Sequence, residues 1–156
     1  MNKNINPIEV AKWGAVLLGG FLLFKVLRGT GLLPDKTEQK ANDLNNSVTT
    51  EKWTNSNFWK LQAPAGYQSM AFTVVSTDNL ITALWDSTGT FNDDEEKMQG
   101  TLRQINYKSQ YSWLAYKFYE KYGKDLTGYL KDAFSAEELY PVWSYLNTLP
   151  TYKKIN

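Results

Sequence analysis

From Trp13 to Phe24 the chain reads WGAVLLGGFLLF, without one polar side chain, and Lys12 and Lys25 bracket it. An uncharged stretch of about 12 residues is too short to cross a hydrocarbon core of roughly 30 Å. A helix from Pro7 to Arg28, however, rises about 33 Å at 1.5 Å per residue, and both lysines can snorkel their ammonium groups to the headgroups. Helix signals frame that longer span: Asn6 as cap, Pro7 at the first position, Glu9 as a capping acid, and Gly29 and Gly31 as stops. A cleaved signal peptide fits the length of the run, but Lys25 and Arg28 fall where a cleavage region is normally uncharged. A buried core helix apolar on every face would need partners on all sides, which a chain this small hardly supplies. The expectation is a transmembrane anchor over residues 7–28, carried by Trp13, Leu17, Leu18, Phe21, Leu22 and Phe24 and bracketed by Lys12 and Lys25.

Charge and residue types constrain the remainder of the chain. Net charge is +1, which lacks the electrostatic footprint of a nucleic-acid binder, and no nucleic-acid partner is expected. The chain has no cysteine and no histidine, so disulfides, thiolate zinc sites, thiol nucleophiles and histidine general bases are excluded. Residues 29–57 include, from Asp35 on, a polar run with Leu44, Val48 and Trp53 only at intervals. Its front part, DKTEQKANDLNN, has the mixed charge of a short exposed helix, and the Asn, Ser and Thr of its later part compete with helix formation. The span as a whole is expected to be a flexible tether, behind a short tail over 1–6 and the anchor. Residues 58–75 read as an irregular lead-in, in which MAFTVV has strand character but no partner strand.

Helix signals are dense from there on. Ser76 or Thr77 is expected to cap a helix Asp78–Ser87 with Leu80, Ile81, Leu84 and Trp85 on one face. Asn92 opens a second, with Met98, Leu102 and Ile105 as its apolar face. A third runs from Ser109 to Gly123, a left-handed C-terminal glycine, with apolar residues on nearly every face. A fourth spans Leu126–Ala133. The fifth starts at a Ser135/Glu138 capping box, with Phe134 stapling onto Leu139 and Pro141 inside the helix. The fold class expected is all-α: a compact five-helix domain over 76–150 and a tail over 151–156, behind the anchor and tether.

The helices resemble an annexin-type repeat over about residues 78–146. The most specific piece is AYKFYEKYGKDLTGYLKDAFS, Ala115 to Ser135, and Gly89-Thr90 followed by Asp94-Glu95 is similar to that family's Gly-Thr-Asp-Glu signature, with Phe91-Asn92-Asp93 inserted. Small phage and bacterial proteins with one such module share an F-N-D-D-E stretch, as at Phe91–Glu95, and K-S-Q, as at Lys108–Gln110; some sit behind a hydrophobic anchor. The annexin resemblance implies a calcium site of loop oxygens and one carboxylate, for which Asp94, Glu95 and Asp132 are the candidates. Asp132 lies one position early, however, and Ala133 stands at the ligand position. A charged first helical turn accounts for the acidic run Asp93–Glu96 more simply. Neither a metal nor any other cofactor is expected.

Catalytic chemistry is hard to find. Glu120, Glu137 and Glu138 are the acids near the aromatic-rich region, and a catalytic acid needs an apolar pocket to raise its pKa. Trp113, Tyr116 and Tyr119 offer an aromatic platform for sugars, with core packing the plainer account. The chain is therefore expected to be a non-enzymatic structural or interaction protein anchored in a bilayer. The looser resemblance implies a minor virion protein linking membrane to capsid or vertex in a membrane-containing bacteriophage, in the virion membrane or the bacterial inner membrane. A cell-wall protein acting on or binding peptidoglycan, and a calcium-dependent lipid-binding module, are the alternatives. Besides lipid, the partners expected are capsid or other structural proteins, with self-association open. The contact surface is expected at Tyr140, Trp143, Tyr145 and Tyr152, because so small a domain must expose some aromatics.

Overall fold

The computed structural model describes residues 35–89 and 93–155 of the chain. The anchor expected over residues 7–28 and the tail over 1–6 lie outside the described residues, as do Thr90, Phe91 and Asn92. Among the described residues no helix is long and apolar enough to cross a membrane. The chain divides into two units, 1–37 and 38–156. The second unit, together with the start of its first helix, carries the fold.

The segment expected to be a flexible tether is folded. Residues Asp35–Thr50 form helix α1, and short 3-10 turns follow at Lys52–Thr54 and Phe58–Lys60. Ala41, Leu44 and Val48 recur at helical spacing, so one narrow stripe of an otherwise polar helix faces the core. Ala41, Val48 and, beyond the helix, Trp53 are buried, with Leu44 packed beside them. The Ser and Thr side chains do not break the helix, because they bond back within it: Ser47 Oγ donates to Leu44 O and Thr50 Oγ1 to Ser47 O. Two long-range contacts fasten α1 further. Trp143 Nε1 donates to Asn45 Oδ1 at 3.0 Å, and Lys131 Nζ donates to Thr49 Oγ1 at 2.7 Å.

The five expected helices follow. Helix α2 is Val74–Asp86 and starts earlier than expected, because Thr73, not Ser76 or Thr77, is the cap. Its hydroxyl accepts from the Ser76 N–H, and the β-branched pair Val74-Val75 becomes an exposed first helical turn instead of a strand. Helix α3 is Glu95–Leu102 behind the Asp94 cap, α4 is Lys108–Tyr122, α5 is Leu126–Ala133 and α6 is Ala136–Thr148. Gly123 ends α4 at φ +68°, and the Ser135/Glu138 capping box opens α6. The described residues are thus mostly helical, an all-α fold.

The core gathers inward faces from all six helices. Tyr111 and Phe118 of α4 and Trp143 of α6 are its largest fully buried side chains. Trp53 meets Tyr111 edge-on at 5.2 Å, so the chain after α1 supplies part of the cover over α4. Two polar pairs cross between elements, Tyr111 Oη with Thr127 Oγ1 and Trp113 Nε1 to Thr77 Oγ1. The Trp53 and Trp59 indole N–H groups and the Ser69 hydroxyl are buried without a partner among the described residues.

The lead-in is also pinned to α4. The Trp59 N–H donates to Ser112 Oγ and the Met70 N–H to Ser109 Oγ, each at 2.9 Å. These fully buried serines are one helical turn apart, so residues 59–70 leave and regain α4 at almost the same place, in the manner of an Ω-loop. Within it Tyr67–Gln68 (β1) pairs antiparallel with Lys153–Lys154 (β2), in the register Tyr67 to Lys154. Residues just before β2 cap α4: the N–H groups of Lys108 and Ser109 donate to the carbonyls of Pro150 and Thr151.

Candidate functional site

An open cavity of about 570 Å³ lies between the loop after α2 and helix α5, lined by Thr88, Gly89, Asp93, Lys124, Asp132 and Ala133 among others. Tyr129 forms one wall. Its ring stacks on Trp85 at 5.1 Å and 3°, while Tyr122 stacks on Trp85 at 4.2 Å and 10°. Lys124 Nζ lies 5.5 Å from the Trp85 ring centre and 5.1 Å from that of Tyr129. The Tyr129 and Thr88 hydroxyls share a hydrogen bond that ties α5 to the end of α2. Nothing in the sequence marks this three-ring stack, because Trp85, Tyr122 and Tyr129 come from three helices.

Gly89 and Asp132 both line this cavity. The donor set does not fit calcium, which takes six to eight oxygens. Asp94 instead caps α3, its Oδ1 accepting from the Lys97 N–H at 2.9 Å. Asp125 Oδ2, also at the cavity, accepts from the Gly128 N–H at 2.7 Å. Glu95 lies in the first turn of α3, where a carboxylate complements the helix dipole. Asp132 is exposed, and Ala133 beside it brings only a methyl group to the cavity. Among the described residues no three of His, Cys, Asp and Glu are grouped to hold a metal ion.

Two of the three acids considered for catalysis, Glu120 and Glu138, have other engagements. Glu120 is exposed, with Lys117 Nζ donating to Oε2 at 2.6 Å and the Tyr116 hydroxyl donating to Oε1. These two bonds hold its carboxyl below the ordinary value, the opposite of what a general acid requires. Glu138 accepts the Ser135 N–H in the α6 cap at 2.8 Å. The aromatic platform is not flat. Trp113 and Tyr116 are tilted by 35°, Trp59 stands edge-on to Trp113 at 4.5 Å, and Tyr119 alone of the three is widely exposed.

Of the four residues expected as a contact surface on α6 and the tail, three are largely covered. Trp143 is fully buried with its indole N–H spent on Asn45. The half-buried Tyr145 donates to Ile105 O at 2.6 Å, and Tyr152 stacks on Phe58 at 5.9 Å. Only Tyr140 of the four is exposed. The expectation assumed too little cover for so many aromatics. Helix α1 and the turns after it supply that cover.

The described residues define a small helical domain whose aromatic load is spent on its core and on α4. Comparison of the chain with protein-family models, with curated proteins and with solved structures finds no match.

Proposed function

We propose that this chain is a membrane-anchored interaction protein without catalytic activity. The observation that carries the proposal is the apolar run Trp13–Phe24 between Lys12 and Lys25, in one chain with a domain that has its own core. The engagements of Glu120 and Glu138, with the lack of histidine and cysteine, support a role in binding over one in chemistry. The setting proposed is the lipid membrane of a bacteriophage particle, where the domain joins membrane to protein shell; it rests on the resemblance at Phe91–Glu95 and Lys108–Gln110. The folding of α1 changes the proposal in one respect: residues 38–57 belong to the domain and do not act as a flexible arm.

The test is membrane fractionation of the full-length chain followed by crosslinking mass spectrometry in its native membrane or particle. The expected result is a chain that resists alkaline carbonate extraction and crosslinks to structural proteins. Recovery in the soluble fraction at native mass, without detergent, would refute the anchor. Clearing in a peptidoglycan zymogram that disappears on Glu120→Gln or Glu138→Gln would refute the non-catalytic part.

A further inference from the structure

Between Lys60 and Asp78 the chain carries no charged residue, and much of this stretch is on the surface. Leu61 is 56 % exposed, Val74 76 % and Val75 72 %. Tyr67 is exposed on β1, and Ile155, just after β2, is 52 % exposed with its N–H donating to Gly66 O. Scattered exposed aliphatics need no explanation, whereas a cluster does. Three attachments bring these residues to one end of the domain. The loop is fixed at Ser109 and Ser112, the first turn of α2 meets Trp113 through Thr77, and the segment before Ile155 caps Lys108 and Ser109. All three therefore converge on the first two turns of α4.

Charge around this end is mainly positive, with Asp78, one turn after Val74, an exposed carboxylate paired with Lys121. Neither residues 52–77 nor residues 139–155 contain a carboxylate, and Lys60, Lys153 and Lys154 are exposed among them. Lys154 is the cross-strand partner of Tyr67, so a lysine and an exposed tyrosine occupy facing positions of the two-stranded ribbon. Trp59 lies half-buried at the base of the loop. Aliphatic side chains surrounded by lysines, with Trp and Tyr at the boundary, are what a peripheral membrane surface requires. The apolar groups enter the acyl boundary, the rings sit at headgroup level, and the lysines meet anionic lipid.

We propose that the end of the domain formed by Leu61, Tyr67, Val74, Val75 and Ile155 docks on an anionic bilayer surface, held by Lys153 and Lys154 and needing no metal ion. This rests on the membrane anchoring proposed for the chain and deepens it: the domain lies on the lipid through a defined face. Asp78 is paired with Lys121 and Glu120 with Lys117, whereas Lys153 and Lys154 have no ion-pair partner among the described residues, so the charge this end leaves for a partner is positive.

The chain has no cysteine, so single-cysteine variants give unique labelling sites. The experiment places a nitroxide on the full chain at Leu61→Cys, Val74→Cys or Ile155→Cys in vesicles containing phosphatidylglycerol, with EDTA present. Lys124→Cys, about 20 Å along α4 from these attachments, is the control. The expected result is that the first three labels collide more with oxygen than with an aqueous nickel chelate, and the control does the reverse. Replacing phosphatidylglycerol by phosphatidylcholine should return all three to aqueous values. Vesicle flotation with all labels aqueous would overturn the docking face and leave the anchor standing. Failure to float would overturn both. Labels shielded from both reagents would mean that a protein, or a second copy of the chain, covers this end, which also overturns the proposal.

Discussion

Val48→Ala tests whether α1 belongs to the core. Val48 is 0 % exposed in the described structure, on the stripe that Ala41 and Leu44 begin. The substitution removes two methyl groups, worth about 1.6 kcal/mol at about 0.8 kcal/mol each. If the site does not collapse, roughly 50 Å³ of void adds about 1.2 kcal/mol at about 24 cal/mol per Å³. The expected loss is therefore about 2–3 kcal/mol, or roughly 8–12 °C in Tm for a domain of this size. The assay is urea unfolding of residues 38–156 followed by tryptophan fluorescence, with the m-value checked for constancy. Asn46→Ala, at an exposed position of the same helix, is the control and should stay within about 0.5 kcal/mol of the parent. If the two variants unfold together, within about 0.5 kcal/mol of each other, α1 adds nothing to the core and is a tether after all.

Gly123→Val should lower Tm more than Gly123→Asn. Nothing lies within 4 Å of an added Cβ, so the cost is conformational, about 1–2 kcal/mol for an L-residue at φ +68° and more when it is β-branched. Ser135→Ala should cost about 1 kcal/mol in the same urea assay through loss of the α6 cap, and an unchanged midpoint would mean the box carries no energy. Burial raises the Tyr111 hydroxyl well above its ordinary pKa, with the Asp125 charge acting in the same direction and the Thr127 bond against it. The unfolded chain then ionises first, near pH 10, and the folded chain keeps its proton. Stability should thus be fully present below about pH 10 and fall as pH rises beyond it. In Tyr111→Phe that fall, read from urea midpoints across pH 9–11.5, should flatten.

The parts of the fold legible in the sequence are those written in local chemistry. Asp125 and Gly123 delimit α4 and α5, and the Ser135/Glu138 pair opens α6, because each motif completes its own hydrogen bonds within a few residues. Helix α1 is hard to read because its signals conflict. Three small or medium apolar residues carry the period, while Asn, Ser and Thr between them argue for coil until their bonds to carbonyls of the same helix are known. The misplacement of Trp143 on the surface stems from the same conflict. Without α1 there is no Asn45 to take its indole N–H and too little surface to bury its ring. Val74-Val75 misleads in the opposite direction, since β-branching suggests a strand and only the Thr73 cap makes that pair a helix start. At the cavity Gly89 and Asp132 can be picked out from the sequence, but the Trp85 stack cannot, since it exists only once three helices are assembled.

The cap on α4 has a kinetic consequence. Lys108 and Ser109 receive their acceptors from Pro150 and Thr151, so the first turn of the most buried helix is completed by residues that arrive only after α4, α5 and α6 have packed. Closing so long a loop is costly until the intervening helices are in place. This clasp is therefore expected to form after the rate-limiting step. Contacts made that late govern how long the native state survives more than how quickly it is reached. Removing residues 150–155, and with them both carbonyl acceptors and β2, should then raise the escape rate along the unfolding arm of a chevron and leave the folding arm nearly in place. Equal movement of both arms would put the clasp in the nucleus instead.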